Sequence, residues 1–390
     1  MLITHAHILP MVGEEIGDGF VQVAGEKIAA LGPMERCPAD DGPVLDAAGG
    51  LLMPGWIDAH SHLGMWEDSL GFEGDDGNEE TDPVTPQMCA VDAINPCDPC
   101  FAEALAAGVT AVVTGPGSAN PIGGQMAAVS TRGICVDDMV LRAPVAMKMA
   151  LGENPKSVYH GRNQTPVTRM GTAALIREAL TAAKRYGDDL EKSKNDPDTD
   201  PPEYDAKCEA LLPVLRGELP VHIHAHRLDD IFTALRLARE FSFRLVLVHG
   251  TDAYMTAGRL AQAGIPVLCG PLLTDRCKPE LHRQTPKNPG ILSAGGVRVG
   301  LVCDHPEIPQ QYLGICAGLA VREGMDRAAA LRALTIDPAR ICGLDDLIGS
   351  LEPGKRADMV LFREDPLTVA ATPVWVMIGG TVCDPEQPQA

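Results

Sequence analysis

The sequence predicts an α/β protein built on a (β/α)₈ barrel, the TIM-barrel architecture. Eight apolar segments of strand length succeed one another between residues 51 and 303, each followed by turn residues or polar side chains. Amphipathic segments with apolar residues at helical spacing lie between them, for example 172–186 and 229–240. Strands that alternate with helices are typical of a parallel sheet, and eight such strands can close into a barrel around a packed interior.

The predicted barrel strands are 51–60, 109–114, 126–130, 144–151, 221–226, 244–249, 265–269 and 297–303. The first fifty and the last forty residues instead contain short strand-like pieces separated by turns, which favours antiparallel hairpins over βα units. The segment 187–220 is rich in Asp, Glu, Lys and Pro, and it predicts a solvated helical excursion rather than a separate domain.

The composition favours a globular enzyme of the cytoplasm. Hydrophobic residues make up 45% of the 390 residues, too many for a disordered chain. A formal net charge of −21 repels phosphate backbones, so no nucleic acid is expected as a partner. No apolar run approaches the ~20 residues that span a bilayer, and the N-terminus lacks the pattern of a signal peptide. We therefore expect no membrane partner. A small-molecule substrate and a homo-oligomer are the other expectations.

The segment LLMPGWIDAHSHL at 51–63 carries the first sign of chemistry. It ends in His60-Ser61-His62, where a strand is predicted to finish. Residues i and i+2 of a strand point to the same face, so both rings can approach one cation. Neutral imidazole suits zinc and other first-row metals. The alternative is a pair of rim histidines without a metal.

Other predicted strand ends decide between these alternatives. Strand 221–226 carries His222, His224 and His226 at one parity, strand 244–249 ends in His249, and strand 297–303 is followed by Asp304. In such barrels the working residues project from the carboxyl ends of the strands. Unrelated core histidines would rarely collect at this one rim, so the sequence predicts a metal site.

These motifs resemble the amidohydrolase superfamily, specifically the branch that includes imidazolonepropionase. The resemblance covers essentially the whole chain, and it is carried by MPGWIDAHSHL, AAGVTAVVTG, HAHRLDDIFTAL, VLVHG, VCDHP and the late GKRADMVLF. It implies that 1–53 and 346–390 form one small β-sandwich domain beside a barrel domain at 54–345. It also implies a metal site made of His60, His62, His224, His249 and Asp304.

The resemblance favours His224 among the three histidines of the fifth strand. The family ligand directly precedes Ala and is followed seven positions later by an apolar helix residue, which fits His224 and Ile231. His226 lies nearer the rim and is expected to touch substrate. For His222, a hydrogen-bonded core histidine is the favoured interpretation.

The fourth strand bears on whether one metal or two are bound. Lys148 lies in this strand and Glu153 just beyond it. Related two-metal hydrolases bridge their cations with a carboxylated lysine or with a glutamate at this place, whereas imidazolonepropionase-like members use one metal. Lys148 can be a ligand only after carboxylation, because a free ammonium repels a cation. The alternative is a Lys–Glu pair that orders the loop.

The resemblance implies hydrolysis of a C–N bond in a cyclic amide or in a peptide-like or N-acyl amino acid substrate. One or two Zn²⁺ ions, with Fe or Mn as alternatives, would polarise a carbonyl and activate water. Asp304 would take the proton of that water and return it to the leaving nitrogen, and His249 or a neighbouring histidine (His226 or His305) would steady the oxyanion.

Substrate recognition is expected from the loops after the fourth and fifth strands. They carry Tyr159, Arg162, Arg169 and Arg227, and the arginines favour a carboxylate-bearing substrate. The alternative is that Arg169 and Arg227 pair with Asp229, Asp230 or Glu153 and hold loops in place. The polar loop 67–86 is either a lid or a surface loop without function.

Two other function classes compete with this hypothesis. Deaminases on the same fold commonly place a Glu three residues after a strand-five or strand-six His, and neither His224 nor His249 is followed by one. A non-catalytic binding scaffold would lack ligands, and here every expected ligand is present. Both are therefore the weaker alternatives.

Overall fold

The computed structural model describes residues 1–39 and 42–383. Its strands are β1 (Leu2–Ile8), β2 (Ile16–Ala24), β3 (Lys27–Pro33), β4 (Val44–Asp46), β5 (Leu51–Pro54), β6 (Trp56–Ser61), β7 (Val109–Thr114), β8 (Ile122–Ser130), β9 (Val140–Ala150), β10 (Val221–Ala225), β11 (Leu245–His249), β12 (Val267–Cys269), β13 (Val299–Leu301), β14 (Met359–Phe362), β15 (Pro373–Ile378) and β16 (Thr381–Cys383). Its α-helices are α1 (Pro99–Ala106), α2 (Val136–Met139), α3 (Glu153–Gly161), α4 (Arg169–Asn195), α5 (Ala206–Leu215), α6 (Leu228–Phe241), α7 (Ala257–Gln262), α8 (Asn288–Ala294), α9 (Leu313–Arg322), α10 (Arg327–Arg332) and α11 (Ile336–Cys342).

Strands from both ends of the chain form one eight-stranded sheet. Its order is β16-β15-β14-β5-β1-β2-β3, with β4 paired to β1. The two ends of the chain meet where β5 pairs antiparallel with β14, Leu52 lying opposite Leu361. The sandwich arrangement and the predicted domain limits stay predictions. Of the predicted terminal domain, residues 40, 41 and 384–390 lie outside the described residues.

The eight predicted barrel strands form the second sheet, in the order β13-β12-β11-β10-β9-β8-β7-β6. Its two edges adjoin, because the His62 backbone N–H donates to His305 O at 3.0 Å and the Cys303 N–H donates to Asp58 Oδ2 at 3.0 Å. The sheet is therefore a nearly closed barrel. The mixed α/β class and the eight strands agree with the sequence-based prediction.

One strand corrects the expectation of an all-parallel barrel. β8 runs antiparallel to both of its neighbours, β7 and β9. Only residues 115–121 separate β7 from β8. A strand that follows its neighbour in parallel needs a crossover connection of about a dozen or more residues. This shorter connection can only form a hairpin-like return.

The predicted strand 51–60 is also two strands rather than one. The chain passes from the terminal sheet (β5) to the barrel (β6) at Gly55. A Cβ at this position would lie 2.1 Å from Thr110 Oγ1, so the close approach of β6 to β7 requires glycine. The motif that ends in His60 therefore also joins the two sheets.

Helices cover the outside of the barrel through apolar faces. In α6, Ile231, Ala234 and Leu237 are buried at helical spacing, and they pack with residues of β10 and β11 such as Ala225 and Leu247. Predicted segments 172–186 and 229–240 correspond to the central part of α4 and to α6. Among the described residues, no helix combines the length and the apolar character needed to cross a membrane.

Candidate metal centre

The structure brings together the five residues that the sequence predicted as metal ligands. His60 and His62 stand at the end of β6, and their Nε2 atoms lie 3.2 and 3.3 Å from Asp304 Oδ1. His249, the last residue of β11, places Nε2 3.9 Å from Asp304 Oδ2. The His224 ring at the end of β10 lies 4.5 Å from the His249 ring, between centroids. We call His60, His62 and Asp304 the Asp304 group.

Three of these rings are oriented by hydrogen bonds through Nδ1. His62 Nδ1 donates to Gly115 O at 2.7 Å, and His249 Nδ1 donates to Gly270 O at 2.8 Å. His224 Nδ1 lies 2.9 Å from Ser118 Oγ. A backbone carbonyl only accepts, so His62 and His249 carry their proton on Nδ1 and present a bare Nε2 to the centre when neutral. Ligating histidines are commonly held in this way.

Burial favours the neutral form of the histidine rings, and the neighbouring histidines favour the ionised form of the Asp304 carboxylate. Burial lowers the pKa of His60, His224 and His226 well below the usual value, and it also lowers the pKa of His249. Burial opposes the ionisation of Asp304, but His249, His60 and His62 outweigh it and hold the pKa of Asp304 well below its usual range.

The donor set therefore fits a cation. The Nε2 lone pair of His249 faces an anionic carboxylate, an arrangement that is repulsive unless a positive ion lies between them. His60 Nε2, His224 Nε2 and His249 Nε2 are buried and have no hydrogen-bond partner among the described residues. Imidazole nitrogen with carboxylate oxygen is a donor set that zinc, iron and manganese accept.

Backbone conformation, and not strand alternation alone, turns His249 into the centre. The register pairs His249 with Ala225, whose side chain packs in the apolar layer beneath the helices. Plain alternation would send the His249 ring to that layer too. Its φ of +68° re-aims the side chain, and Asp304 has a φ of +55°. Left-handed backbone at non-glycine residues costs about 1–3 kcal/mol and is typical of functional sites.

A second group contains a carboxylate that the sequence analysis missed. Glu280 Oε1 lies 3.8 Å from His224 Nε2 and 3.7 Å from His226 Nε2. We call His224, His226 and Glu280 the Glu280 group. Glu280 belongs to the turn Pro279–Leu281 after β12, and its side chain is only 1% exposed. No motif surrounds it in the sequence, so no sequence signal could have found it.

The two bridge candidates have different surroundings. Lys148 is fully buried, and its Nζ donates to Pro116 O and to Ser118 Oγ, each at 3.1 Å. Burial lowers the pKa of Lys148 to about 8. The Glu153 carboxylate instead accepts from the Glu280 backbone N–H at 3.3 Å. Lys148 thus reaches the centre through Ser118, whereas Glu153 is engaged by the chain that carries Glu280.

The predicted substrate-binding side chains on the loops have protein partners. Arg169 Nε lies 3.0 Å from both carboxylate oxygens of Asp230, Arg227 binds Asp229 with two hydrogen bonds, and Arg162 pairs with Glu80. The Tyr159 hydroxyl donates to Asn120 Oδ1 at 2.6 Å. The arginine pairs match the loop-holding alternative considered from the sequence. His226, by contrast, lines the cavity at the centre.

The cavity over the two groups has a volume of about 550 Å³. His62, His224, His226 and Asp304 form part of its wall. Among its described lining residues, Lys278 is the only lysine or arginine. The predicted loop 67–86 contributes lining residues as well, among them Glu67, Asp68, Ser69, Asn78 and Glu80.

Two further buried groups complete the surroundings. Asp58 accepts from the His60 N–H at 3.2 Å and from Cys303, and burial raises its pKa to about 7. The sequence analysis missed it, although a charged residue in an apolar strand was a usable signal. The expected hydrogen bond of His222 is absent among the described residues, since neither ring nitrogen has a partner. Burial lowers the pKa of His222 to about 3.

The family model for the amidohydrolase family matches residues 51–383, which includes the barrel and the ligand set described above. The chain belongs to the amidohydrolase family. An amidohydrolase structure from Thermotoga maritima MSB8 superposes with a TM-score of 0.94 at 44% sequence identity, with 98% of each chain covered. The family resemblance expected from the sequence is confirmed.

Two curated relatives extend this similarity. Amidohydrolase tasK of Hapsidospora irregularis is 32% identical over 376 residues, which are 90% of this chain. The chain spans only 38% of the length of that relative. An imidazolonepropionase of Sphingopyxis alaskensis is 23% identical over 390 residues, covering 92% of this chain and 90% of the relative. Enzymes of this family act on small-molecule substrates.

Proposed function

We propose that this protein is a metal-dependent hydrolase that cleaves a C–N bond of a cyclic amide or of a peptide-like or N-acyl amino acid substrate. The observation that carries the proposal is the convergence of the buried Nε2 atoms of His60 and His249, which have no hydrogen-bond partner among the described residues, on an ionised carboxylate. Similarity to the tasK amidohydrolase and to imidazolonepropionase supports the reaction class.

His60, His62, His224, His249 and Asp304 would hold one or two cations, with Zn²⁺ as the first candidate and Fe or Mn as alternatives. A bound divalent ion supplies Lewis-acid polarisation of a carbonyl and lowers the pKa of water from ~15.7 toward ~7. Asp304 lines the cavity, so its carboxylate can take a proton from the attacking water and deliver it to the departing nitrogen.

The role of His249 is that of a ligand rather than an oxyanion donor. An oxyanion donor needs an N–H that points into the cavity. The Nδ1–H of His249 is engaged by Gly270 O, and the lowered pKa leaves Nε2 without a proton. The oxyanion role expected from the sequence is therefore replaced by coordination through Nε2.

We propose Lys148, in carboxylated form, as the bridge of a two-metal centre in preference to Glu153. A pKa of about 8 leaves an appreciable share of the amine neutral near pH 7–8. The neutral amine can add CO₂ and release one proton, and the resulting carbamate is anionic. The uncarboxylated ammonium would repel any cation held by His60 or His224, whose pKa values it already lowers.

The size and lining of the cavity support a small-molecule substrate. Its volume of about 550 Å³ falls in the ~300–1,000 Å³ range of small-molecule sites. A carboxylate on the substrate would meet Lys278, because Arg162, Arg169 and Arg227 are already paired with protein carboxylates. We therefore retain a carboxylate-bearing substrate and assign its recognition to Lys278.

The test combines metal analysis with a substrate screen. Protein loaded with Zn²⁺, Mn²⁺ or Fe²⁺ is assayed on N-acyl amino acids, dipeptides, hydantoins and imidazolones, with separate detection of amine, ammonia and new carboxylate. We expect turnover of at least one class, its loss on chelation and its recovery on readdition of metal. Turnover that survives complete metal removal contradicts metal dependence, and ammonia as the dominant product assigns the protein to the deaminases.

A homo-oligomer and a cytoplasmic location, both expected from the sequence, stay predictions. Light scattering coupled to gel filtration measures the first.

A further inference from the structure

The Glu280 group contains an unpaired carboxylate oxygen in a buried place. Glu280 Oε1 has no hydrogen-bond partner among the described residues, and neither does His224 Nε2. The other oxygen, Oε2, accepts from the Glu153 backbone N–H at 3.0 Å. A buried carboxylate oxygen without a partner costs several kcal/mol, so this arrangement indicates a missing positive or hydrogen-bonding occupant.

The distances in this group suit a cation better than a direct hydrogen bond. Glu280 Oε1 lies 3.8 and 3.7 Å from the Nε2 atoms of His224 and His226, beyond the ~3.2 Å limit of a good N–H···O bond. Two ligands of one Zn²⁺ ion are each ~2.0–2.2 Å from the metal, so they lie at most about 4.0–4.4 Å apart. The observed separations fall inside that limit. In the Asp304 group, the corresponding separations are 3.2 and 3.3 Å.

The surrounding chain fixes the Glu280 carboxylate in place. The Glu153 N–H donates to Glu280 Oε2, and the Glu280 N–H donates back to Glu153 Oε2 at 3.3 Å. Gly152, with a φ of +87°, lets the backbone approach, because a Cβ there would lie 2.9 Å from Glu280 Oε2. Ligands held by such outer contacts bind metal more tightly, since little side-chain freedom is lost on binding.

We propose that His224, His226 and Glu280 form a cation subsite separate from the Asp304 group, in which Glu280 supplies a ligand from the turn after β12. The subsite would take a divalent transition metal such as Zn²⁺, Mn²⁺ or Fe²⁺, which accept nitrogen and carboxylate oxygen together. His249 lies beside it, since the ligand atoms of His224, His226 and His249 are all within 4.8 Å of one another. This inference rests on the proposed metal dependence.

The proposal gives Glu153 and His226 roles other than those expected from the sequence. Glu153 acts as a positioning residue for Glu280 through the paired backbone contacts, and not as a bridge between cations. His226 is a ligand rather than a substrate contact, and its ring is stacked on that of His249 at 4.6 Å between centroids. Its Nδ1 lies 2.7 Å from Thr251 Oγ1, which leaves Nε2 to face Glu280.

The test measures metal binding directly, without reference to turnover. Metal-free protein and its Glu280→Gln variant are titrated with Zn²⁺ and Co²⁺ by calorimetry, and bound metal is counted by mass spectrometry of the elements. Gln keeps an oxygen to accept the Glu153 N–H but removes the charge. We expect Glu280→Gln to weaken one of the metal-binding steps at least about 10-fold and to change the visible spectrum of bound Co²⁺.

Glu307→Gln is the matched control. Glu307 lines the same cavity, but its carboxylate forms no ion pair with these histidines among the described residues. This variant loses the same charge and should keep the affinity of the parent. A second variant, His226→Asn, should weaken the same step as Glu280→Gln. Thermal melting of each metal-free variant identifies any that fails to fold.

The outcomes separate the two proposals. Parent protein that binds no metal overturns the proposed metal dependence. If the parent protein binds metal and the folded Glu280→Gln and His226→Asn variants bind it equally well, the Glu280 subsite is overturned. The proposed function is not affected by that result. Loss of one step in both variants, but not in Glu307→Gln, supports the subsite.

Discussion

The Asp304 group and the Glu280 group have the same composition, two imidazoles and one carboxylate, but the chain assembles them differently. The Asp304 group takes all its members from the carboxyl ends of β6 and β13, which adjoin where the barrel closes. The Glu280 group takes two histidines from the end of β10 and its carboxylate from the turn Pro279–Leu281. Residues at strand ends can be located from the repeated strand pattern of the sequence, whereas a residue in an isolated turn such as Glu280 cannot.

The two carboxylates also differ in access. The side chain of Asp304 is 14% exposed and lines the cavity, whereas that of Glu280 is 1% exposed and is not among the described lining residues. Asp304 can therefore exchange protons with a substrate or a water molecule. Glu280 can contact only an ion that is bound to His224 and His226. Under the two proposals, the same residue chemistry would serve turnover in the Asp304 group and metal binding in the Glu280 group.

The largest expected effect is that of Asp304→Asn. The variant cannot accept a proton at the carboxylate, so kcat should fall about 10²–10⁴-fold, the usual contribution of general acid–base catalysis. Because the histidine ligands stay in place, metal content after loading with excess Zn²⁺ should stay nearly intact, even though the affinity for the metal falls. Steady-state kinetics and elemental analysis measure both. Turnover equal to that of the parent would show that Asp304 is not a catalytic residue. The proposed difference in role between Asp304 and Glu280 would then be wrong.

Substitutions of Lys148 test whether a carboxylated lysine bridges metal ions bound by the Asp304 group and the Glu280 group. Lys148→Ala should lower turnover by about 100-fold, and millimolar formate or propionate should restore part of it by supplying carboxylate oxygens to the vacated space. Lys148→Arg keeps a positive charge but cannot be carboxylated, so it should be inactive without rescue. Full activity of Lys148→Arg would argue that no bridge is needed.

His222 lies two residues before His224 and makes stability depend on pH. Its pKa in the folded protein is about 3, so the folded ring stays neutral while the unfolded ring gains a proton below about pH 6.5. The unfolded state then binds more protons, and stability falls as pH falls from about 6.5 to about 3, by about 1.4 kcal/mol per pH unit for this group.

Replacing His222 by Leu should remove that contribution. Urea unfolding of the metal-free protein at pH 7.5 and pH 5.0 should show a loss of stability that is about 2 kcal/mol smaller in His222→Leu than in the parent. His160→Leu, a substitution at an exposed position of α3, is the control. Equal losses in parent and His222→Leu would mean that His222 does not stay neutral in the fold.

The smallest effect is expected at Lys278, which helps to lower the pKa of His224 and His249 and lines the cavity beside the Glu280 group. Lys278→Gln should raise KM about 10-fold for a carboxylate-bearing substrate, and hardly at all for its methyl amide, because a charge-assisted hydrogen bond is lost. Arg227→Gln provides the competing test. A larger rise of KM in Arg227→Gln than in Lys278→Gln would instead support recognition of the substrate carboxylate by Arg227, as predicted from the sequence.

Much of the centre could be predicted because barrel strands deliver polar residues to one rim. His60, His62, His224, His249 and Asp304 meet as expected. The partners of the arginines could not be predicted from the sequence. An arginine can bind either a substrate carboxylate or a protein carboxylate, and only the fold places Asp229, Asp230 and Glu80 within reach of them. The direction of β8 was missed because strand propensity is independent of strand direction.

The sequence by itself determined the family, the eight barrel strands and the histidines and aspartate at their ends, because local periodicity and motif spacing survive without tertiary contacts. Only the tertiary structure decided which other groups face those residues. Glu280 reaches His226 across 54 positions of chain, Ser118 reaches His224 across 106, and the left-handed φ of His249 turns its ring inward. Such contacts depend on how the loops close over the barrel, which no local pattern encodes.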